Sequence, residues 1–360
     1  MAETYILGRG LACTLGVGMN ACLDNLRQGQ VHLTRLENPQ GFNWPYFSIP
    51  DTALTARDLD WHARACELVT RVVDECGPDL DRDAPLFVAS SSFSVGGLET
   101  GAAFLRDQQS FIEEVAAWLH WRGPVFSVAS ACTSSMNALM SAQAMLEAGQ
   151  CEHALILGLE LGNRFTSVGF SGMQLLAADL PRPLDATRDG LVLGEAIAAL
   201  YLGNLASRWR VLGGANQVNG NNPVGADQHV VTQMITQALD TCGLTPAHID
   251  LIKLQAAGSP QNDAEEIAGL QQIFSTLPPL ITLKAALGHT LGASGAAELA
   301  LLMASLETNA CPVACVAQVD PQLDAQCCTA LPKPPTTILA NILGFGGGHS
   351  CVLIEDTAQR

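Results

Sequence analysis

The chain has 360 residues, 48% of them hydrophobic and only 15% charged, with 33 glycines; it carries enough apolar side chain for a large core, in two domains or one duplicated unit, and is not disordered. The net charge of −17 argues against nucleic acid or an anionic membrane as partner, because both demand basic patches. No apolar run reaches the ~18 residues that span a bilayer, and Met1-Ala-Glu-Thr4 lacks the basic start of a signal peptide, so a soluble cytoplasmic protein is expected.

Thr4 to Gly16 reads as an opening strand breaking into a Gly-rich turn, with a helix from Met19 to Gln28 behind it. Gln30 to Asp58 reads as irregular and proline-punctuated. Apolar residues at Ala63, Cys66, Leu68, Val69, Val72 and Val73 mark a helix over about Asp60–Cys76, and Pro85–Ser90 reads as a strand. The polar run Ser90-Ser-Ser-Phe-Ser94 with Gly96-Gly97 follows as a turn at a strand's carboxyl end, where α/β proteins place their sites.

Val125 to Ala129 is a short apolar run that stops at small residues. A helix-period pattern begins directly after Cys132 and closes at Gly149, which sets Cys132 at a strand-to-helix turn. The free N–H groups and positive end of a helix favour thiolate over thiol, and the thiolate is the nucleophile. A small buried core cysteine is the alternative for this residue taken alone.

His153–Glu160 is a further apolar strand, followed by a glycine-bearing loop to about Leu180. The turn-rich Arg182–Gly190 leads into the apolar run Leu191–Leu202. Alternation restarts after about Ser207, with a strand around Val211, a helix over Gln228–Cys242, a strand at Ile249–Leu254 and a helix over Asp263–Phe274. A glycine-rich histidine loop at 284–295, a helix to about Leu306, and strands at Thr337–Ile342 and Ser350–Glu355 complete the chain. Two halves of similar element order, 1–205 and 206–360, suggest duplication, although no residue-level repeat joins them.

The twelve cysteines are spread over the whole length without the spacing of a small disulfide framework, so most read as reduced core residues. Cys311, Cys315, Cys327 and Cys328 lack histidines or a second cysteine pair at a zinc-site interval; no metal and no cofactor is expected.

Four segments resemble the β-ketoacyl-acyl carrier protein synthases of the thiolase fold. Ser130-Ala-Cys132-Thr-Ser-Ser135 is similar to their nucleophile turn. Arg182-Pro-Leu-Asp185-x-x-Arg188-Asp-Gly190-x-Val192-Leu-Gly-Glu195-Ala is a long match. Lys284-Ala-Ala-Leu-Gly288-His289-Thr-Leu-Gly-Ala-Ser-Gly295 resembles their lysine-histidine loop, and Asn341-Ile-Leu-Gly344-Phe345-Gly-Gly-Gly348-His349 their Gly-Phe-Gly-Gly loop. Order and spacing cover essentially the whole chain. The resemblance implies an α/β, thiolase-like five-layered αβαβα subunit of two related halves, an N-terminal half with the nucleophile and a C-terminal half with the Lys/His and Gly-Phe-Gly-Gly loops, usually dimeric.

Such enzymes take an acyl group from a carrier thioester onto cysteine. A malonyl thioester then loses CO₂, and its carbanion attacks the acyl-cysteine. This needs an activated thiolate, donors for a thioester oxyanion and groups that stabilise an enolate. The resemblance implies Cys132 as nucleophile, the N–H groups of Cys132 and Phe345 as oxyanion hole with Phe345 also gating the pocket, and His289 as hydrogen-bond partner of the malonyl thioester carbonyl. Lys284 would order and charge the site, with Glu195, Gly344 and Gly346 in support. Taken alone, His289 reads equally as a loop histidine making structural hydrogen bonds.

One departure alters this expectation. The elongating synthases carry a second histidine in Ala-His-Gly-Thr-x-Thr-Pro-x-x-Asp, where this chain has Gln255-Ala-Ala257-Gly258-Ser-Pro260-Gln-Asn-Asp263, two residues shorter. Ala257 stands in the histidine's place and cannot donate a hydrogen bond; losing one such donor typically costs about 10²–10³ in rate. His349 stands where the family usually has asparagine and brings another imidazole, its orientation open. The stretch from about Gly97 to Gly123, which in the family helps form the pocket cap and dimer contact, is compressed.

Two readings result. One is an active 3-oxoacyl-acyl carrier protein synthase condensing acyl and malonyl thioesters through Cys132 and His289. The other, favoured here, is a chain-length-factor-like partner subunit of an aryl-polyene- or polyketide-type heterodimer, supported by Ala257, the short loop and the lack of a basic docking face: Lys and Arg number 12 against 23 acidic residues in 1–205, and 6 against 12 in 206–360. The retained Cys132 segment stands against it. A thioester-binding scaffold or hydrolase is a third, lesser possibility. Expected partners are carrier-bound thioesters and a ketosynthase subunit, or a second copy of the chain.

Overall fold

The computed structural model describes residues 2–37, 43–50, 60–101, 107–308 and 318–359. The N-terminal part runs β1 (Thr4–Cys13), β2 (Gly16–Val17), α1 (Met19–Gln28), β3 (Leu33–Glu37), β4 (Asn43–Phe47), α2 (Trp61–Asp74), β5 (Leu86–Ala89), α3 (Val95–Glu99), α4 (Gln108–Trp118), β6 (Val125–Val128), α5 (Ser134–Glu147), β7 (His153–Glu160), α6 (Arg164–Gly172), β8 (Leu193–Gly194) and β9 (Ala196–Gly203). The C-terminal part runs β10 (Trp209–Val218), α7 (Gln228–Thr241), β11 (Leu251–Lys253), α8 (Pro260–Gln271), β12 (Leu280–Ile281), α9 (Lys284–Leu287), α10 (Ser294–Glu307), β13 (Thr337–Leu343) and β14 (Gly348–Asp356).

The large sheet has the strand order β12-β11-β13-β14-β10-β1-β9-β7-β5-β6. It is mirrored about the β10–β1 junction, since each half places its strands in the same relative order and keeps the inner pairs antiparallel and the outer ones parallel. The chain passes from one half of the sheet to the other between β9, which ends at Gly203, and β10, which starts at Trp209.

Alternation along the strands sorts the side chains into layers. On β7, Ala154 and Ile156 face a central core that also takes Ile338, Ala340 and Ile342 of β13 and the buried faces of α5 and α10. Leu155, Leu157 and Leu159 face the opposite way, onto α2 and α4. On the other half, Leu339 and Leu353 pack against α7 and α8. The helices α5 and α10 therefore lie between the two half-sheets, with α2 and α4 outside one and α7 and α8 outside the other: the five layers of the thiolase-like fold.

Three expectations change. Part of the stretch expected to be irregular is an antiparallel pair, β3 with β4, whose Tyr46 and Phe47 are buried and continue onto β8; residues 38–42 and 51–59 lie outside the described ones. The loop expected after Glu160 contains α6, which overrides its two glycines because Asn163 accepts a hydrogen bond from the Thr166 N–H (2.8 Å) and Glu99 accepts from the Arg164 and Phe165 N–H groups (2.8 and 2.7 Å). The compressed stretch after Gly97 contains α4, capped by Asp107, with residues 102–106 not described. Among the described residues no helix is long and apolar enough to cross a membrane. Cys327 and Cys328 join no cluster of three metal-ligating side chains there, and Cys311 and Cys315 lie outside them.

Candidate active site

The site forms where loops leave the carboxyl ends of the parallel strands β5, β6, β11, β12 and of β13. After β6 the backbone turns sharply: Ala131 has φ 52°, a left-handed conformation that costs an alanine about 1–3 kcal/mol. The turn is held because Ser134 Oγ accepts from the Ser130 N–H (3.0 Å) and donates to the Ala131 carbonyl (2.7 Å). Leu291, φ 47°, makes the same turn before α10. Each is the first residue of a short 3₁₀ turn that leads into a 14-residue helix, Cys132 lying in the first turn and the histidine loop running into the second.

Cys132 is 1% exposed. Its Sγ lies 3.0 Å from His289 Nε2. Lys284 Nζ lies 3.1 Å from His289 Nδ1 and donates to Ser294 Oγ at 2.9 Å. Lys284 is ion-paired with Glu298, whose other oxygen binds Lys253 Nζ at 2.5 Å, and Lys253 also donates to the Asn341 carbonyl at 2.7 Å. All of these side chains are buried. A lysine ammonium has donors only, so Nδ1 accepts and the imidazole proton sits on Nε2, aimed at the cysteine sulfur.

Burial pushes the Cys132 thiol up to about 11, against the lowering action of the Phe345 N–H, the Lys284 charge and its own N–H. The thiolate preference expected from the helix start is therefore outweighed by desolvation. Burial, followed by the Lys284 and Lys253 charges, holds His289 well below its ordinary value, so it is a neutral imidazole. The resting pair is a thiol beside a neutral N–H donor. The backbone N–H groups of Phe345 and Cys132 both act to lower the thiol, which sets them near the sulfur, on the side where the oxygen of an acyl group on Sγ would need donors. The Phe345 ring packs edge-on against Phe170 of α6 at 4.9 Å.

Gly344 donates to the Gly348 carbonyl and Gly346 to the Pro223 carbonyl, both at 2.8 Å. Gly346 has φ 81°, which a side chain would strain. Glu195 accepts from the Ile49 and Gly162 N–H groups, each at 2.8 Å, and from Arg64 at 2.9 and 2.7 Å. Burial works to raise its carboxyl, but Arg64 and the two N–H groups hold it below the usual range. Glu195 thus ties distant segments together at a distance from the sulfur.

A small cavity of about 20 Å³, open at one side, is lined by His289, Phe345, Ala257, Gln255 and His349 among others. The loop carrying Ala257 is pinned. Asp263 accepts from the Ala257 and Gly258 N–H groups (3.1 Å each) and the Leu184 N–H (3.0 Å), and Glu266 from the Gln255 and Ala256 N–H groups (2.8 Å each). Gly258 has φ 93°, and a Cβ there would meet the Gly190 carbonyl oxygen at 2.6 Å. Burial raises Asp263 to about 6 and Glu266 to about 7 despite these N–H groups.

The sequence reading missed Glu160, Glu298, Lys253 and Ser294. Glu160, at the end of β7, accepts from the Ser90 and Ser92 hydroxyls (2.6 and 2.8 Å) and the Gly292 N–H (3.0 Å), locking the serine-rich turn to the histidine loop. A carboxylate ending an apolar strand beside a run of serines was the available signal.

Two family models match this chain: the β-ketoacyl synthase N-terminal domain over residues 106–207 and its C-terminal domain over 211–316. The chain belongs to the β-ketoacyl synthase family. Curated relatives of this synthase-family chain include a putative polyketide β-ketoacyl synthase 1 of Streptomyces cyaneus, 28% identical over 69% of this chain and 64% of the relative. Another is the 3-oxoacyl-[acyl-carrier-protein] synthase 2 of Mycobacterium leprae, 28% identical over 65% of this chain and 61% of the relative. The matches thus span somewhat under two thirds of those relatives' length. Similar solved structures include a ketosynthase (ApeO) in complex with its chain length factor (ApeC) from Xenorhabdus doucetiae, with TM-score 0.85, 22% identity and coverage of 99% and 98% of the two chains. A β-ketoacyl synthase from Burkholderia phymatum gives TM-score 0.83, 20% identity and coverage of 99% and 100%. The ishigamide ketosynthase/chain length factor gives 0.81, 20%, and 98% and 99%. At these identities the structures establish the fold.

Proposed function

We propose that this chain is a chain-length-factor-like partner subunit, in an aryl-polyene- or polyketide-type ketosynthase heterodimer, that accepts an acyl group on Cys132 but is impaired in decarboxylative condensation. In this reading the thioester carbonyl is attacked by Cys132 Sγ in its minor thiolate form, and its oxygen is received by the Cys132 and Phe345 N–H groups. The carbonyl–carrier sulfur bond breaks, and the proton given up by Cys132 is taken, through water, by the departing carrier thiolate. His289 steadies the sulfur through Nε2–H, while Lys284 fixes that tautomer. The reaction runs in the cytoplasm on carrier-bound thioesters and requires no cofactor.

The observation that carries the reading is Ala257 on the cavity wall. Its methyl group offers no donor to an enolate, and the pinned loop holds its backbone in place. Ketosynthase and chain length factor complexes among structures of the same fold agree with it. The 3.0 Å contact between Cys132 and His289 favours a second reading, an active synthase. The test is to purify the chain alone and with candidate ketosynthase subunits and to follow Cys132 acylation by intact mass alongside condensation. A 1:1 complex with a partner whose condensation survives Cys132→Ala in this chain supports the partner reading. Robust condensation by the lone chain, abolished by Cys132→Ala, supports the active synthase.

A further inference from the structure

His349, the second residue of β14, is 2% exposed, and neither ring nitrogen has a hydrogen-bond partner among the described residues. It lines the same cavity as Ala257, His289 and Phe345. Gln255 lines that cavity too, and its Oε1 is likewise buried without a partner. Leaving such a group unsatisfied costs about 1–3 kcal/mol, and two of them on one cavity wall mark a place built for a polar ligand group. The carboxylates on that wall, Asp263 and Glu266, are occupied by backbone N–H groups.

Burial lowers His349 below its ordinary value, against the Gly348 backbone and the Asp227 charge, so it stands as a neutral imidazole with one N–H to give and no well-formed hydrogen bond from either ring nitrogen among the described residues. The cavity also meets His289, the partner of the cysteine sulfur.

We propose that His349 donates a hydrogen bond to the carbonyl oxygen of a malonyl-type thioester in this cavity, replacing part of the stabilisation that the Ala257 side chain cannot give. The inference rests on the thioester chemistry proposed above and deepens it: the decarboxylation that remains passes through His349. The bond between the α-carbon and the carboxylate breaks and CO₂ leaves. The electron pair delocalises onto the thioester oxygen facing the His349 N–H. The carbanion then either attacks an acyl group on Cys132, releasing its thiolate, or takes a proton from water to leave an acetyl thioester.

The experiment presents the full-length chain with a malonyl-acyl carrier protein and follows acetyl-carrier formation by mass spectrometry. Acylation of Cys132 by a medium-chain acyl carrier protein is followed separately by intact mass. The expected result is slow but measurable decarboxylation that falls about 10²-fold in His349→Leu, with Cys132 acylation within about threefold of the unaltered chain. Should His349→Leu fail to fold, His349→Phe, which keeps a ring but has no donor, decides by the same criterion, and Gln255→Leu serves as a second cavity variant, expected to show a smaller loss. The proposal is overturned if the unaltered chain loads Cys132 but forms no acetyl-carrier, if decarboxylation is unchanged in the His349 variant, or if acylation falls equally with it. Absence of Cys132 acylation in the unaltered chain removes the acyl-acceptor reading instead, and leaves the His349 outcome to be read from decarboxylation alone.

Discussion

His289 Nδ1 lies 3.1 Å from the ammonium of Lys284, and that contact determines which imidazole nitrogen carries the proton facing Cys132. Replacing the lysine as Lys284→Met frees the tautomer and removes the positive charge that lowers the thiol. It also leaves Glu298 with Lys253 as its remaining lysine. Alkylation of Cys132 at pH 8 should slow by about tenfold or more, and stability should fall by about 3–5 kcal/mol, the usual cost of breaking a buried pair. Nitrogen-15 shifts should show a protonated Nε2 in the parent chain and mixed tautomers in the variant.

Burial raises the Cys132 thiol to about 11, and only the thiolate reacts. Below that value the thiolate fraction grows about tenfold per pH unit. Iodoacetamide modification of Cys132, followed by peptide mass spectrometry, should therefore climb log-linearly from pH 7 to 10 without a plateau. A plateau near pH 8 would show a thiol poised by the helix start.

Asp263 and Glu266 are raised by burial to about 6 and about 7, above their ordinary values of 3.8 and 4.5. Between about pH 4 and 7 the folded chain holds protons that the unfolded chain has released. Stability therefore falls as pH rises through that window, by about 2–3 kcal/mol per group. Urea unfolding at pH 4.5 and 7 measures this. Asp263→Asn should flatten the slope while lowering overall stability, because its amide faces backbone N–H groups that need an acceptor.

Introducing Ala257→His should restore little condensation, less than about tenfold. In the proposed reading the loop is two residues shorter than in the elongating synthases; clamped by Asp263 and Glu266, it would not carry the new ring to the histidine's position. Recovery to the rate of an ordinary synthase, measured by product formation from acyl and malonyl carriers, would show that loop length matters less than side-chain identity.

The fold was largely legible because its strongest signals are local. The helix Met19–Gln28 and the strand His153–Glu160 lie where apolar period and flanking turns put them, and the turns at Cys132 and His289 were marked by small residues. The missed helix α6 depends on Glu99, distant in sequence, to satisfy its first N–H groups. Glu298 and Lys253 look like ordinary helix and strand residues until the two half-sheets close on them. Orientation of His349 is set by strand register between β13 and β14, which pairs it with Leu343; composition does not encode that.

The most direct test of the central claim is the ratio of Cys132 acylation to condensation in the unaltered chain. Incubated with acyl- and malonyl-carrier proteins, the lone chain should show acyl-Cys132 by intact mass and β-ketoacyl product at a rate about 10²–10³-fold below an ordinary synthase, reflecting the lost donor at Ala257. Product at the ordinary rate, lost on Cys132→Ala, would contradict the account.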